Sequence, residues 1–226
     1  MLHKNKFKLK YEKKGKVMTK IYLIRHGETK FNVEHIISGQ IETDLTELGR
    51  NQAFEGALKL KNEGISFDVI LCSPLKRARD TAQIIASVIN APIVFDKDLQ
   101  EYNNGDYEGV KVDDLKQMSF NPPYETAGFK FENGQDLYAA YSSFDPKYDG
   151  FSYPKGETKK EACTRFMNTI QNYLDSHPKT QNLGVVAHGA VIRFMILKIC
   201  PETLKEKIKN VEARVVYYEK ERGFYI

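Results

Sequence analysis

Ile21-Tyr22-Leu23-Ile24-Arg25-His26-Gly27-Glu28-Thr29 is the stretch on which the fold turns. Four residues suited to a strand run straight into an Arg-His-Gly triplet, and the chain then becomes polar. An unbroken apolar run of this length fits a strand covered on both faces, as in a parallel sheet. Such a strand ends at Ile24 and presents Arg25 and His26 together at its carboxyl end, the edge where open α/β sheets bind ligands. An imidazole beside a guanidinium suits the attack on, or the grip of, a phosphoryl group. The plainer reading is a surface arginine and a structural histidine, and the rest of the chain decides between them.

Working outward, further strands are expected at Val69–Cys72, Ile93–Phe95, Leu183–Ala187 and Val215–Tyr218, with Phe224-Tyr225-Ile226 turning back beside the last. Helical patterns lie between them. Thr46 to Lys61 carries apolar residues at Leu48, Ala53, Ala57 and Leu60, and Gly64 follows as a stop signal. Ser73-Pro74 is expected to open a helix, with Ser as its cap and Pro where no N–H is needed. Thr158-Lys159-Lys160-Glu161 has capping-box spacing ahead of Phe166, Ile170 and Leu174. Alternating strands and helices predict an α/β fold: a three-layer αβα arrangement around a mostly parallel central sheet.

Between Val110 and Lys155 the pattern breaks into Pro, Gly and aromatics, among them Phe120, Tyr124, Phe129, Phe131, Tyr138, Tyr141, Phe144, Tyr148, Phe151 and Tyr153. An insertion of that length usually has a role, often as a lid. Its rings either form a small core of their own or line the roof of a pocket. Residues 1–19 are read as a basic, disordered tail, and 20–226 as one domain carrying this aromatic-rich cap insertion at about 110–155.

The chain has 226 residues, 41% hydrophobic and 28% charged, within the range of a globular domain. Its net charge of +4 conceals an asymmetry: residues 1–20 hold eight Lys and one Glu, which leaves −3 for the remainder. The folded part therefore offers no nucleic-acid stripe. No apolar run approaches the roughly 18 residues of a membrane span, and Arg193 interrupts the longest candidate. No secretory signal is recognisable. Cys72, Cys163 and Cys200 are odd in number and widely spaced, which fits a reducing cytoplasm rather than a disulfide or zinc framework.

A second histidine repeats the context of the first. Leu183-Gly184-Val185-Val186-Ala187 runs into His188-Gly189, and a helix follows from Ala190, so the Gly189 amide falls at a helix N-terminus suited to anions. Arg77 lies in the first turn of the helix after Cys72, on the same sheet edge. Two arginines, two histidines and a helix start make a positive pocket the size of one phosphate. His35 and His177 sit in a loop and at a helix end, and neither forms a metal-type pair. No Walker loop, nucleophile-elbow serine or dinucleotide glycine fingerprint is present.

These blocks together resemble the histidine phosphatase, or phosphoglycerate mutase-like, superfamily. The opening signature stands as Leu23-Ile24-Arg25-His26-Gly27-Glu28-Thr29 with Asn32, followed by Ser38-Gly39, Asp44-Leu45-Thr46 and Leu48-Gly49. Ser73 to Ala82, Leu99-Gln100-Glu101 with Gly105 to Gly109, Tyr153 to Thr158, and Ala187-His188-Gly189 complete the set in order. The resemblance implies that His26 is the nucleophile and becomes a phosphohistidine. It makes Arg25, Asn32, Arg77, His188 and the Gly189 amide the holders of the phosphoryl oxygens, and Glu101 the proton donor and then the base. Ser38 and Gly39 are further substrate-binding candidates. His26 is expected neutral and His188 protonated. No metal or cofactor is required by this scheme.

Within the family, mutases are known for an adjacent arginine pair in the central insertion, and residues 80–164 here contain no Arg. The expected activity is therefore hydrolysis of a small-molecule phosphate monoester. The alternatives are a phosphoglycerate mutase and, with less support, a non-catalytic phospho-ligand-binding protein, which would be expected to lack His26, Glu101 or His188.

Overall fold

The computed structural model describes residues 18–143, 145–202 and 208–226. In chain order these form β1 (Thr19–Arg25), α1 (Lys30–Val33), α2 (Glu47–Asn62), β2 (Val69–Cys72), α3 (Lys76–Ile89), β3 (Ile93–Phe95), α4 (Val112–Gln117), β4 (Ser119–Thr126), β5 (Phe129–Asn133), α5 (Gly134–Ser142), α6 (Lys159–Ser176), β6 (Asn182–Ala187), α7 (Gly189–Ile199), β7 (Ala213–Glu219) and β8 (Gly223–Tyr225). The main sheet has the order β3-β2-β6-β1-β7-β8. Its first four strands are parallel, β7 pairs antiparallel with β1, and β8 pairs antiparallel with β7.

The apolar run of β1 alternates between two cores. Ile21 and Leu23 point to one face, with Phe166, Ile170 and Leu174 of α6 and Val191, Ile192 and Met195 of α7. Tyr22 and Ile24 point to the other, with Ala57 and Leu60 of α2 and Ala78, Ala82 and Ile85 of α3. Burying each large aliphatic side chain contributes about 1.5–3 kcal/mol, so a strand covered on both faces is the most strongly fixed element of the sheet. The long helix α2 that follows β1 and α1 thus covers one face and α7, the helix after β6, the other, although β1 and β6 are neighbours. That divergence opens a crevice at their carboxyl ends, the switch point of a doubly wound sheet.

Most of the expected tail lies outside the described residues. Thr19, assigned to it, opens β1 instead, because it pairs with Tyr218 and donates its hydroxyl to the Thr180 carbonyl at 2.7 Å. A second departure concerns Ser73. The α3 helix starts at Lys76 after Leu75, without a side-chain cap, and Ser73 turns toward His188. Thr46 and Thr158 do cap α2 and α6, the latter with the reciprocal Glu161 contact.

The region from Val110 to Lys155 is more regular than its composition suggests: α4, a β4–β5 hairpin and α5. Ala127 and Gly128, both at positive φ, make the two-residue hairpin turn. Leu115, Phe131, Leu137, Ala140, Phe151 and Tyr153 form a core of their own with Ile37, flanked by Phe120, Tyr124, Phe129, Tyr138, Tyr141 and Tyr148. Phe144, counted among the rings above, lies outside the described residues. Tyr141 stacks on both Tyr153 and Tyr102 and so joins this core to the sheet. Lys159, buried in the first turn of α6, donates to the carbonyls of Ala140 and Ser143 at the end of α5, and burial brings its ammonium down to about 8.

Candidate active site

The switch-point crevice brings together the ends of β1 and β6. His26 is buried, and its Nδ1 lies 2.7 Å from the Gly27 carbonyl. A carbonyl only accepts, so Nδ1 carries the proton and Nε2 keeps its lone pair. His188 is fully buried with its ring centroid 5.2 Å from that of His26. Its Nε2 is 2.7 Å from Ser73 Oγ, while Nδ1 has no protein partner.

Two guanidiniums flank the rings. Arg77 is 1% exposed and donates from Nη1 to the Ile41 carbonyl at 2.9 Å and from Nη2 to the Gly39 carbonyl at 2.6 Å. Arg25 donates from Nη1 to the Ile208 carbonyl at 2.8 Å. Arg25 Nε, Arg77 Nε and His188 Nδ1 are all buried without a protein partner. A buried unpaired donor costs about 1–3 kcal/mol, so a site with several of them favours a ligand rich in acceptor oxygens. Two glycines permit the close packing. A Cβ at Gly189 would lie 3.3 Å from Arg25 Nε, and one at Gly27 would lie 2.3 Å from the Gly49 carbonyl oxygen. Gly27 N also donates to Thr81 Oγ1 at 3.0 Å, and that hydroxyl donates to the Arg77 carbonyl.

Asn32 ends the short α1 capping box, its Oδ1 accepting from Thr29 N at 3.2 Å. Asn210 Nδ2 donates to the His26 carbonyl at 2.9 Å and reaches Asn32 Oδ1 at 3.4 Å. Ser38 and Gly39 form the loop beside Arg77. Gly39 meets the guanidinium with its carbonyl, and Ser38 accepts from Ile41 N within the loop. Glu108 Oε1 holds that loop through Gln40 N at 2.8 Å and also accepts from Asn104 N.

Glu101 enters from the loop after β3. Its Oε1 accepts from Tyr102 N at 2.9 Å and Val191 N at 3.2 Å, and its Oε2 accepts from Ala190 N at 3.1 Å. The N-terminus of α7 is thus shared: a carboxylate of the protein meets its Ala190 and Val191 amides, and Gly189 lies against Arg25. Arg25, His26, Arg77, His188 and Gly189 lie at the sheet edge where the strand-end reading put them, and Glu101, named by the resemblance, meets them across the start of α7. Thr81, Asn210 and Arg165 (below) belong to the surroundings and were not singled out. Thr81 lies within the Ser73 to Ala82 block, whereas Asn210 and Arg165 carry no local signal.

Burial, then Arg77, then Arg25 hold His26 well below the usual imidazole range. Burial, Arg77 and the neighbouring His26 do the same to His188. The expectation of a protonated His188 is thus corrected for the ligand-free protein: two guanidiniums and a dry site disfavour a further positive charge. The consequence for stability has a definite sign. The unfolded chain takes up protons as pH falls through about 6.5 while the folded histidines do not, so stability is lost as pH falls from there toward their lowered values. Each histidine contributes a slope of up to about 1.4 kcal/mol per pH unit in that window. Urea unfolding of the wild type between pH 7.5 and 5.5 is expected to show this loss, and His188→Asn to show about half of it; an equal loss in both would contradict the assignment.

The family model described as "Histidine phosphatase superfamily (branch 1)" matches residues 21–130 and 125–224. The chain belongs to this superfamily. It is 32% identical over 202 residues to the "Metal-independent phosphoserine phosphatase" of Arabidopsis thaliana, covering 88% of this chain and 76% of that protein. It is 41% identical over 182 residues to "Probable phosphoglycerate mutase GpmB" of Escherichia coli O1:K1 / APEC, covering 80% and 75%. The solved phosphoglycerate mutase of Bacillus anthracis str. Sterne has the same fold, with a TM-score of 0.77 and 23% identity across 93% of this chain and 92% of that one. Among the described residues no helix is long and apolar enough to cross a membrane, and no three His, Cys, Asp or Glu residues group as metal ligands.

Proposed function

We propose that this protein hydrolyses small-molecule phosphate monoesters through a phosphohistidine on His26, as a histidine acid-type phosphatase. The observation that carries the proposal is the His26 tautomer: Nδ1 is tied to the Gly27 carbonyl, so Nε2 offers its lone pair between two guanidiniums. In the first step Nε2 bonds to phosphorus, the P–O bond to the leaving group breaks, and Glu101 delivers a proton to the departing oxygen. In the second, water attacks phosphorus, Glu101 takes a proton from it, and the P–N bond breaks. Arg25, Arg77, Asn32, His188 and the Gly189 amide hold the phosphoryl oxygens throughout, so the charge clamp is supplied by the protein itself.

Transfer to water rather than back to a phospho-acid is supported by the cap. Residues 80–164 contain no Arg, and residues 110–155 hold seven acidic side chains against five lysines, a poor match for a substrate with a second anionic group. The mutase reading retains support from the similarity to the mutase-named relative. We further propose that residues 20–226 work as one domain with the cap, and that the protein acts in the cytoplasm; Cys72, Cys163 and Cys200 form no disulfide with one another. The test is acid-quenched turnover with p-nitrophenyl phosphate and with 3-phosphoglycerate. A burst of nitrophenol followed by steady release of inorganic phosphate is expected. Interconversion of phosphoglycerates without phosphate release would overturn the hydrolase reading.

A further inference from the structure

We propose that Arg165, with Glu157, is a positioning residue that sets the geometry of Glu101. The proposal rests on the reading of Glu101 as proton donor. Glu101 lies on an irregular segment after β3, beyond the last ladder pair of the sheet. Such a segment needs side chains to hold its backbone groups.

Arg165 projects from α6 and uses all five of its N–H donors. Nε and Nη2 bind the Glu157 carboxylate side by side, at 2.9 Å to Oε2 and 2.6 Å to Oε1. The remaining three go to main-chain carbonyls: Nη1 to Asp98 at 2.8 Å and to Gln100 at 2.7 Å, and Nη2 to Glu101 at 2.9 Å. Glu157 closes the clasp from the far side, since its Oε1 accepts from Asn103 N at 2.7 Å while its own amide donates to the Asn103 carbonyl. Glu101 is therefore bracketed, with carbonyls at 98, 100 and 101 held from one side and the amide at 103 from the other. The Gln40 amide adds a bond to the Glu101 carbonyl at 3.0 Å.

The pair is mostly buried, at 20% and 17% side-chain exposure, so neither charge is merely a surface ornament. A planar fork with five fixed donors can satisfy a carboxylate and three carbonyls at once, whereas an ammonium has three donors on a flexible stem. The hydrogen bonds of Arg165 all go to Glu157 and the carbonyls of Asp98, Gln100 and Glu101, not to Arg25, Asn32, Arg77, His188 or Gly189, and on that cradle Arg165 bears only through its charge beside His188. The clasp thus acts through the backbone of Glu101 on the leaving-group proton, and makes no hydrogen bond to the phosphate cradle; Arg165→Lys keeps the charge beside His188.

The experiment measures the first phosphoryl transfer by rapid quench with an alkyl phosphate, whose leaving group needs a proton, and with 2,4-dinitrophenyl phosphate, whose leaving group does not. Arg165→Lys is expected to slow the alkyl ester about 100-fold and the dinitrophenyl ester less than about 3-fold, with vanadate inhibition unchanged. Glu157→Gln should show the same selectivity at about 10-fold, and it decides the matter should Arg165→Lys fail to fold. Glu101→Gln is the reference. If its loss does not depend on the leaving group, the proton-donor reading fails. If its loss does depend on it but the clasp variants slow both esters equally, or neither, the positioning proposal fails alone.

Discussion

His26→Ala is expected to lose turnover by at least about 10⁴-fold and to form no acid-labile, base-stable phosphoenzyme. The expectation is large because the residue supplies the bond-forming lone pair and nothing nearby can replace it. His188 directs Nε2 to Ser73 rather than to the position of the His26 nucleophile. The variant should also fold. His26 forms one side-chain hydrogen bond, to the next residue's carbonyl, and its removal takes away a buried imidazole that resists protonation. Stability near pH 6 should therefore match or exceed that of the wild type, which separates loss of chemistry from loss of structure. Acid-quenched labelling with a phosphorus-32 ester provides the measurement. Retained turnover would remove His26 from the mechanism.

Arg77→Met should rank second, with kcat/KM reduced about 10³-fold and folding stability reduced by about 2–4 kcal/mol. Two effects add. The guanidinium clamps the phosphoryl charge, and it also holds the carbonyls of Gly39 and Ile41 in a site only 1% exposed. Removing it strands both carbonyls and frees the loop that carries Gln40 and, through it, a contact to Glu101. Lysine cannot restore the arrangement, because an ammonium does not reach two carbonyls and a phosphate in one plane. Arg77→Lys is therefore expected to recover stability in part and kcat/KM very little. Steady-state kinetics with urea unfolding on both variants checks this; wild-type kcat/KM in either would refute the role.

The parts of this architecture that were legible in the chain share a physical cause. β1, β2 and β6 are buried on both faces, so their sequences are continuous apolar runs whose ends can be read directly. Arg25-His26 and His188-Gly189 follow those ends, which is why both histidines could be placed on one edge before any contact was known. Thr158 read correctly as a cap because capping is decided within four residues. Ser73 misled for the complementary reason. A serine hydroxyl serves a helix N-terminus or a distant imidazole equally well, and His188 lies 115 positions away. The insertion itself was legible as a cap, but its hairpin was not, because Pro122, Pro123 and Gly128 interrupt any period within an eight-residue strand and its turn. Asn210 and Arg165 act through partners separated by 184 and 64 positions, and nothing near either residue announces them.

The strand order also determines when this chemistry can first exist. β1 ends at Arg25, yet its two neighbours in the sheet, β6 and β7, begin at Asn182 and Ala213. A strand meant to be covered on both faces and paired on both edges thus waits, during synthesis, for more than 150 further residues. Closing so long a loop is entropically costly and slow, and local helices cannot substitute for it. His26 gains its main-chain bond to Ala187 and its tie to Asn210 at the same late stage. The nascent chain therefore carries an exposed apolar segment and an unassembled nucleophile until β6, Asn210 and β7 have been made, and catalytic competence waits for them.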